Sequence, residues 1–232
     1  MCSAFIYGKA TRKEWRRRTK DNTDEAGKPK QPGELVWVDN LISPTPGFIS
    51  QMCGILTTKR YTCATVYVYQ ASKLGFVWIQ KTTAAKGMVE VKKAFEKYAR
   101  DMGVQIQNYH ADNKILKSKV WVLDCQLSRQ RITYACVGSH NQNGVAERRI
   151  RVLQDLTRTQ LIHANQWWPA AINTHLWLYA LRLVCAAWNE SPNMKDSSQL
   201  SPEQAFTKVK VNHTLENSLP FGFPVYVLAQ SM

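Results

Sequence analysis

Apolar and polar positions along this chain follow two rhythms, and the switches between them outline its elements. Leu35-Val36-Trp37-Val38 is a short apolar run ending at Asp39, which predicts a buried first strand, and Ser43-Pro44-Thr45-Pro46-Gly47 predicts a break after it. Residues 61–69, rich in Tyr, Thr and Val, and the run Phe76 to Ile79 predict two more strands, close enough in sequence to form a hairpin. From Thr83 the rhythm changes. Met88, Val91, Phe95, Tyr98 and Met102 recur at steps of three and four before Gly103, which predicts an amphipathic helix with a glycine stop. Val104 to Tyr109 alternates again and predicts a fourth strand running into His110-Ala111-Asp112-Asn113; a helix over Leu116 to Gln126 and a fifth strand over Arg131 to Val137 follow.

After the polar turn Ser139 to Gly144 comes a long helix. Ala146, Ile150, Leu153, Thr157 and Leu161 share one face of it, and Glu147, Arg151, Gln154 and Arg158 the opposite one. A further helix is predicted from Trp168-Pro169 onward, apolar almost all round through Ile172, Leu176, Tyr179, Leu183 and Ala187, so neighbours or another subunit must bury it. Ser201-Pro202-Glu203-Gln204 signals another helix start, and Pro224 to Leu228 reads as a last strand. The order predicts an α/β fold, a mixed five-stranded sheet flanked by helices with a helical C-terminal extension.

Composition adds a partner class. The chain has 232 residues, 44% of them hydrophobic, and 31 Lys and Arg against 17 Asp and Glu, a net charge of +14. A field of that sign attracts polyanions, nucleic acid first among them, although a basic surface can also serve solubility alone. Seven basic residues lie between Lys9 and Lys20, ahead of the polar stretch Asp21 to Gly33, so residues 1–33 read as a basic arm and linker, 34–192 as the core and 193–232 as an extension. No apolar run reaches the roughly 18 residues of a membrane span and the start has no signal-peptide architecture, so a soluble intracellular protein is expected, without a membrane partner. Six cysteines are scattered singly, which predicts reduced, mostly buried thiols.

Three carboxylates fall at informative places: Asp39 ending the first strand, Asp112 following the fourth, and Glu147 in the first turn of the long helix. If the first and fourth strands are neighbours, Asp39 and Asp112 emerge side by side and Glu147 can close the cluster. Carboxylates so close repel one another unless a cation sits between them, and Mg²⁺ and Mn²⁺ prefer such hard oxygen ligands.

Val38-Asp39-Asn40, His110-Ala111-Asp112-Asn113 and His140-Asn141-Gln142-Asn143-Gly144-Val145-Ala146-Glu147-Arg148-Arg149 together resemble the signature of integrases from copia-type retrotransposons and, more distantly, of retroviral integrases; Asp112 and Glu147 are separated by 34 residues, close to that family's spacing. The resemblance continues through Leu176-Trp177 and Ser201-Pro202 to Phe221 to Val227. It implies a ribonuclease-H-like catalytic core in which Asp39, Asp112 and Glu147 hold two Mg²⁺ or Mn²⁺ ions for DNA 3′-end processing and strand transfer. It also implies DNA contacts from Arg151, Gln154, Arg158 and Arg148 on the long helix and from Asn113, Lys114, Gln142 and Asn143 around the site. Element ends and target DNA would be the partners, with a homo-oligomer to join two ends and the nucleus as the place of action.

The pattern is broken in places. Copia-type integrases carry an upstream zinc segment, of which Cys2-Ser3-Ala4-Phe5 and Gly8-Lys9 look like the end; Phe5 stands where a second cysteine is expected, so no zinc is expected here. Lys114 replaces a glycine after Asp112-Asn113, and Tyr69 replaces an aspartate of the second strand, both expected near the site. These departures keep an alternative open: a weakened or inactive element-derived fragment that binds nucleic acid without chemistry. A ribonuclease-H-type nuclease is the third reading, against which the Asn143-Gly144-Val145-Ala146-Glu147-Arg148 context argues.

Overall fold

A computed structural model of the chain describes residues 31–48, 60–112, 115–135, 143–192, 198–209 and 219–224. Strands β1 (Val36–Gly47), β2 (Tyr61–Tyr69), β3 (Gly75–Gln80), β4 (Asn108–Ala111) and β5 (Arg131–Tyr134) form one mixed sheet in the order β3-β2-β1-β4-β5. The first three are an antiparallel meander, whereas β4 runs parallel to β1 and β5 parallel to β4. Parallel neighbours need crossovers, and helices supply them: α1 (Ala85–Asp101) leads to β4 and α2 (Lys119–Leu127) to β5. Helices α3 (Gly144–Trp167), α4 (Trp177–Glu190) and α5 (Pro202–Thr207) follow. This is the mixed five-stranded sheet with flanking helices that the sequence pattern predicts.

Alternation along the strands divides the interior in two. Val36 and Val38 of β1, Tyr67 and Tyr69 of β2, and Tyr109 and Ala111 of β4 bury against Met88, Val91 and Phe95 of α1 and Trp121 and Cys125 of α2. Their neighbours turn the other way. Leu41, Ala64, Val66 and Val68 meet Leu153 of α3 and Trp177, Leu178, Leu181, Val184 and Cys185 of α4. Hairpin β2–β3 and the α1 stripe therefore form as their sequence rhythm requires.

Several expectations need correction. β1 does not stop at Asp39. It continues to Gly47, pairing with β2 through Ile42 and resuming at Gly47 after a register shift. Pro44 and Pro46 fall inside the skipped stretch, where no ladder N–H is lost, and Ser43 Oγ holds the irregular turn by donating to Thr45 O at 3.0 Å and accepting from Thr45 N at 3.2 Å. β4 begins at Asn108 instead of Val104, because Val104 N–H closes the α1 terminus on Ala99 O and Gln107 N–H bonds Gly33 O. The second helix opens with a 3₁₀ turn, Ile115–Lys117, before Ser118 caps α2 through Trp121 N. The fifth strand ends at Tyr134, and Cys136 and Val137 lie outside the described residues.

The helix expected from Trp168-Pro169 starts later. α3 runs on to Trp167, Asn173 Oδ1 caps a 3₁₀ turn at Thr174–Leu176, and α4 begins at Trp177. Its buried side packs on α3, α5 and β3 of the same chain, while Tyr179 and Leu183 stay half-buried and Ala187 exposed. Ser201 and Gln204 form the expected capping box of α5, which lays Phe206 against Tyr69 at 4.4 Å between ring centres. The strand expected over Pro224 to Leu228 lies, after Pro224, outside the described residues. Cys63, Cys125 and Cys185 are buried and free; Cys2, Cys53 and Cys136 are not among the described residues, nor is the segment read as a zinc-site remnant. Among the described residues no helix is long and apolar enough to cross a membrane.

Candidate active site

The register of β1 on β4 decides where two of the three carboxylates stand. Val36, Trp37 and Val38 pair in parallel with Tyr109, His110 and Ala111. The next residue on each strand is an aspartate, so Asp39 and Asp112 stand side by side at the end of this ladder. Val38 and Ala111 are fully buried toward α1 and α2, and alternation therefore sends Asp39 and Asp112 to the opposite face. Both are half-buried, and Asp39 Oδ1 accepts the Asn40 backbone N–H at 2.8 Å.

Beneath them lies a floor that sequence reasoning missed. Trp37 and His110 pack with ring centres 4.3 Å apart, Trp37 Nε1 donates to Gln70 Oε1 at 2.6 Å, and His110 Nδ1 pairs with Thr133 Oγ1 at 2.8 Å. Strand parity was the signal available for it: Trp37 and His110 each sit two positions before a carboxylate, on the same face. His110 thus holds two strands together through Thr133.

Helix α3 brings Glu147. Its start is pinned to the sheet by Asn143, which is buried and donates from Nδ2 to Val38 O at 3.4 Å, one residue before Asp39. Asn143, expected to contact DNA, is buried against β1 and braces the helix start. Glu147 is half-buried in the first turn, where the helix dipole favours a carboxylate. The buried side of the helix carries Ala146, Leu153, Thr157 and also Arg149. Arg149 Nη2 donates to Lys73 O at 2.8 Å, its guanidinium lies 4.6 Å from the Trp188 ring centre, and burial pushes its pKa down to about 10. It is an internal tie between α3, α4 and the β2–β3 turn.

Arg148, Arg151, Gln154 and Arg158 are exposed, and Arg151, Gln154 and Arg158 continue the Glu147 stripe at helical spacing. Arg158 lies 3.6 Å from Asp155. Asn113, Lys114 and Gln142, together with His140 and Asn141, fall outside the described residues. Tyr69, expected near the site, is not: it is fully buried on the α1 side of the sheet, against Phe95 and Phe206.

The donor set suits a hard divalent cation, since two adjacent carboxylates without one would repel. Asp39 and Asp112, next in register on β1 and after β4, would form that pair, with Glu147 in the first turn of α3 as the third candidate. Among the described residues, however, no three His, Cys, Asp or Glu side chains are gathered closely enough to hold a metal ion.

No protein-family model matches the sequence, and no curated protein matches it. Solved structures do match. The chain is similar to the HTLV-2 integrase catalytic core domain in complex with magnesium (trimeric form), with a TM-score of 0.51 and 16% identity over 76% of this chain and 97% of that one. It is also similar to the simian T-cell lymphotropic virus intasome in complex with PP2A regulatory subunit B56 gamma, with a TM-score of 0.55 and 15% identity over 87% of this chain and 62% of that chain. At such identities the likeness is one of fold: the ribonuclease-H-like fold of retroviral integrase catalytic cores.

Proposed function

We propose that this chain is the catalytic core of a copia-type retrotransposon integrase, which trims the 3′ ends of element DNA and joins them to target DNA by direct transesterification. The observation that carries this reading is the β1–β4 register, which sets Asp39 beside Asp112 below the pinned first turn of α3. With DNA bound, two Mg²⁺ or Mn²⁺ ions held by Asp39, Asp112 and Glu147 would activate the attacking oxygen and neutralise charge on the leaving one.

The chain's own groups do the rest. Trp37, His110 and Thr133 fix the strand ends from which the aspartates project. Arg148, Arg151, Gln154 and Arg158 offer donors to phosphates along α3, with Asn113, Lys114 and Gln142 as further contacts on the family pattern. The net charge of +14 steers DNA toward this surface. Because two element ends must be joined together, the working form is a homo-oligomer, acting in the nucleus.

A second reading is a fragment that binds DNA without chemistry, and Lys114 in place of the family's glycine after Asp112-Asn113 favours it. The decisive experiment incubates the chain and its Asp112→Asn variant with a branched DNA mimicking the joined product, in Mn²⁺ and in Mg²⁺, and follows strand resealing. Metal-dependent resealing lost in the variant is the expected result. Salt-sensitive DNA binding by both proteins without resealing by either would replace the enzyme with the binding fragment.

A further inference from the structure

Beyond the carboxylates, β1 and α3 diverge around a pocket of about 320 Å³. Its apolar walls are Leu41, Leu161, Trp177 and Leu181, and its rim carries Gln154 and Arg158. Leu41 shares the sheet face of Asp39 two residues earlier, and Gln154 and Arg158 continue the Glu147 stripe. From Asp39 to Ser43 the strand covers about 13 Å. From Glu147 to Gln154 and Arg158 the helix covers about 10 to 16 Å. Both routes put the pocket a few nucleotides from the candidate reaction centre, on the same side of the sheet.

We propose that this pocket seats one unstacked base of the nucleic-acid strand lying along α3. The inference rests on the nucleic-acid reading of the site and specifies how that site engages its substrate. Apolar walls beneath a polar rim suit a base, which has apolar faces and hydrogen-bonding edges. Thr157 lines the pocket, is only 6% exposed, and its hydroxyl has no hydrogen-bond partner. Buried hydroxyls are ordinarily satisfied; this one is enclosed while the pocket is empty, and a turn about χ1, which a helical threonine allows, would bring it to a base edge.

The walls are also fastened before any ligand arrives. Trp177 Nε1 donates to Thr45 O at 2.9 Å, His175 Nδ1 donates to Pro46 O at 2.6 Å, and Phe48 N–H donates to His175 O at 2.9 Å. The irregular end of β1 is therefore tied to the segment before α4, and the pocket is preformed. Charge selects the occupant. Arg158 is exposed on its rim and Arg151 is exposed two turns earlier on α3, on a chain of net charge +14, which favours a base on a phosphodiester strand over an apolar peptide.

The test uses the full chain and three labelled DNAs in fluorescence anisotropy: a blunt duplex, the same duplex with a four-nucleotide single-stranded tail, and that tail with abasic sugars. The base-bearing tail should bind about 10-fold more tightly than the blunt end, about 1.4 kcal/mol. The abasic tail should lose that advantage although its phosphates remain. Thr174→Trp fills the pocket from an exposed position. It should bring tailed DNA down to the blunt level, and Thr157→Val, which removes only the hydroxyl, should reduce the advantage about threefold. An abasic tail that binds as well as the base-bearing one overturns the proposal, as does a folded Thr174→Trp protein that keeps the advantage. Conversion by Thr174→Trp to a smaller assembly, with tail preference intact, would reassign the pocket to a contact between copies. No binding of any DNA by the parent chain would remove the nucleic-acid reading and this inference together. Tail-dependent binding without resealing would keep the pocket and remove the catalytic reading alone.

Discussion

The two faces of the sheet are made from the same strands, yet they answer different demands. On β1, Val36 and Val38 are completely buried toward α1 and α2, while Trp37 and Asp39 between and beside them are only half-buried toward α3. On β4 the same split separates Tyr109 and Ala111 from His110 and Asp112. The α1–α2 face is closed with aromatic rings: Phe95 stacks on Tyr67 at 4.1 Å and lies 5.2 Å from Tyr69. Even its charge is internal. Lys92 is fully buried and reaches Asp124 at 2.6 Å and Glu96 at 2.9 Å, while Tyr109 OH and Gln130 Nε2 donate to Glu96 at 2.8 and 2.7 Å. The α3–α4 face is packed over β1 and β2 but leaves the carboxylate end open. One face sustains the fold so that the other can place like charges together.

The largest expected effect tests that division directly. Phe95→Ala should cost about 3–5 kcal/mol of stability in urea unfolding, because it empties the centre of the aromatic layer. Asp39→Asn should leave the urea midpoint within about 0.5 kcal/mol of wild type, or raise it slightly by relieving repulsion from Asp112. Equal losses from both substitutions would mean that the carboxylate end carries the fold as well, and the division would fail.

Next in size is the ion cluster. Lys92→Met keeps the volume but leaves Glu96 and Asp124 without their shared cation, and we expect a loss of about 2 kcal/mol, less than for a fully enclosed pair because both carboxylates keep some solvent contact. Glu96 retains two donors in the variant. A neutral result by thermal unfolding would show that Tyr109 and Gln130 suffice to hold β4 in place.

On the open face the effects should appear in binding instead. Arg151→Ala and Arg158→Ala should each weaken DNA binding and lower the salt dependence of the affinity by about one released counterion, with the thermal midpoint unchanged. Arg158 should contribute less, since Asp155 lies 3.6 Å away. An unchanged salt slope in both variants would move the DNA path off α3.

Much of this frame was legible in the sequence. Apolar and β-branched runs marked β1, β2, β3 and β5, alternation reached the start of β4, the three-four rhythm found α1 and α3, and Ser201 to Gln204 marked α5. What stayed hidden depended on pairing across the chain. Pro44 and Pro46 look like strand breakers until a register shift spares them a ladder partner. Pro169 looks like a helix opener, but α3 continues to Trp167 and the chain turns before Asn173 can cap the next segment. Tyr69 was misplaced because its place in the family pattern, where an aspartate is expected, says nothing about which face of the sheet it presents. Asp39 and Asp112 were singled out from their places after the first and fourth apolar runs, while the brace from Asn143 and the Trp37–His110 contact needed the third dimension. Arg149 reads as one more surface cation and proves to be an internal tie.

The last comparison sets one buried thiol on each face. Cys125 belongs to the α1–α2 core and Cys185 to the α3–α4 core, and burial raises each thiol to about 11, with Lys92 opposing the shift at Cys125 and Arg149 at Cys185. In the unfolded chain both would ionise near the ordinary thiol value of about 8.5. Between that value and 11 the folded state holds protons that the unfolded state has released, so the stability these thiols contribute is complete below about pH 8.5 and declines as pH rises toward 11. The urea midpoint should therefore fall modestly from pH 8 to pH 10. The same burial should keep both thiols slow toward a maleimide at pH 8, at rates that rise only with unfolding. Site-resolved mass spectrometry separates them. Matching slow rates would mean that both cores are sealed and the openness of the second face is confined to its carboxylate end. Rapid labelling of Cys185 alone would mean that α4 lifts away from the sheet under native conditions, and the open face would then be a property of the whole layer and not of the site.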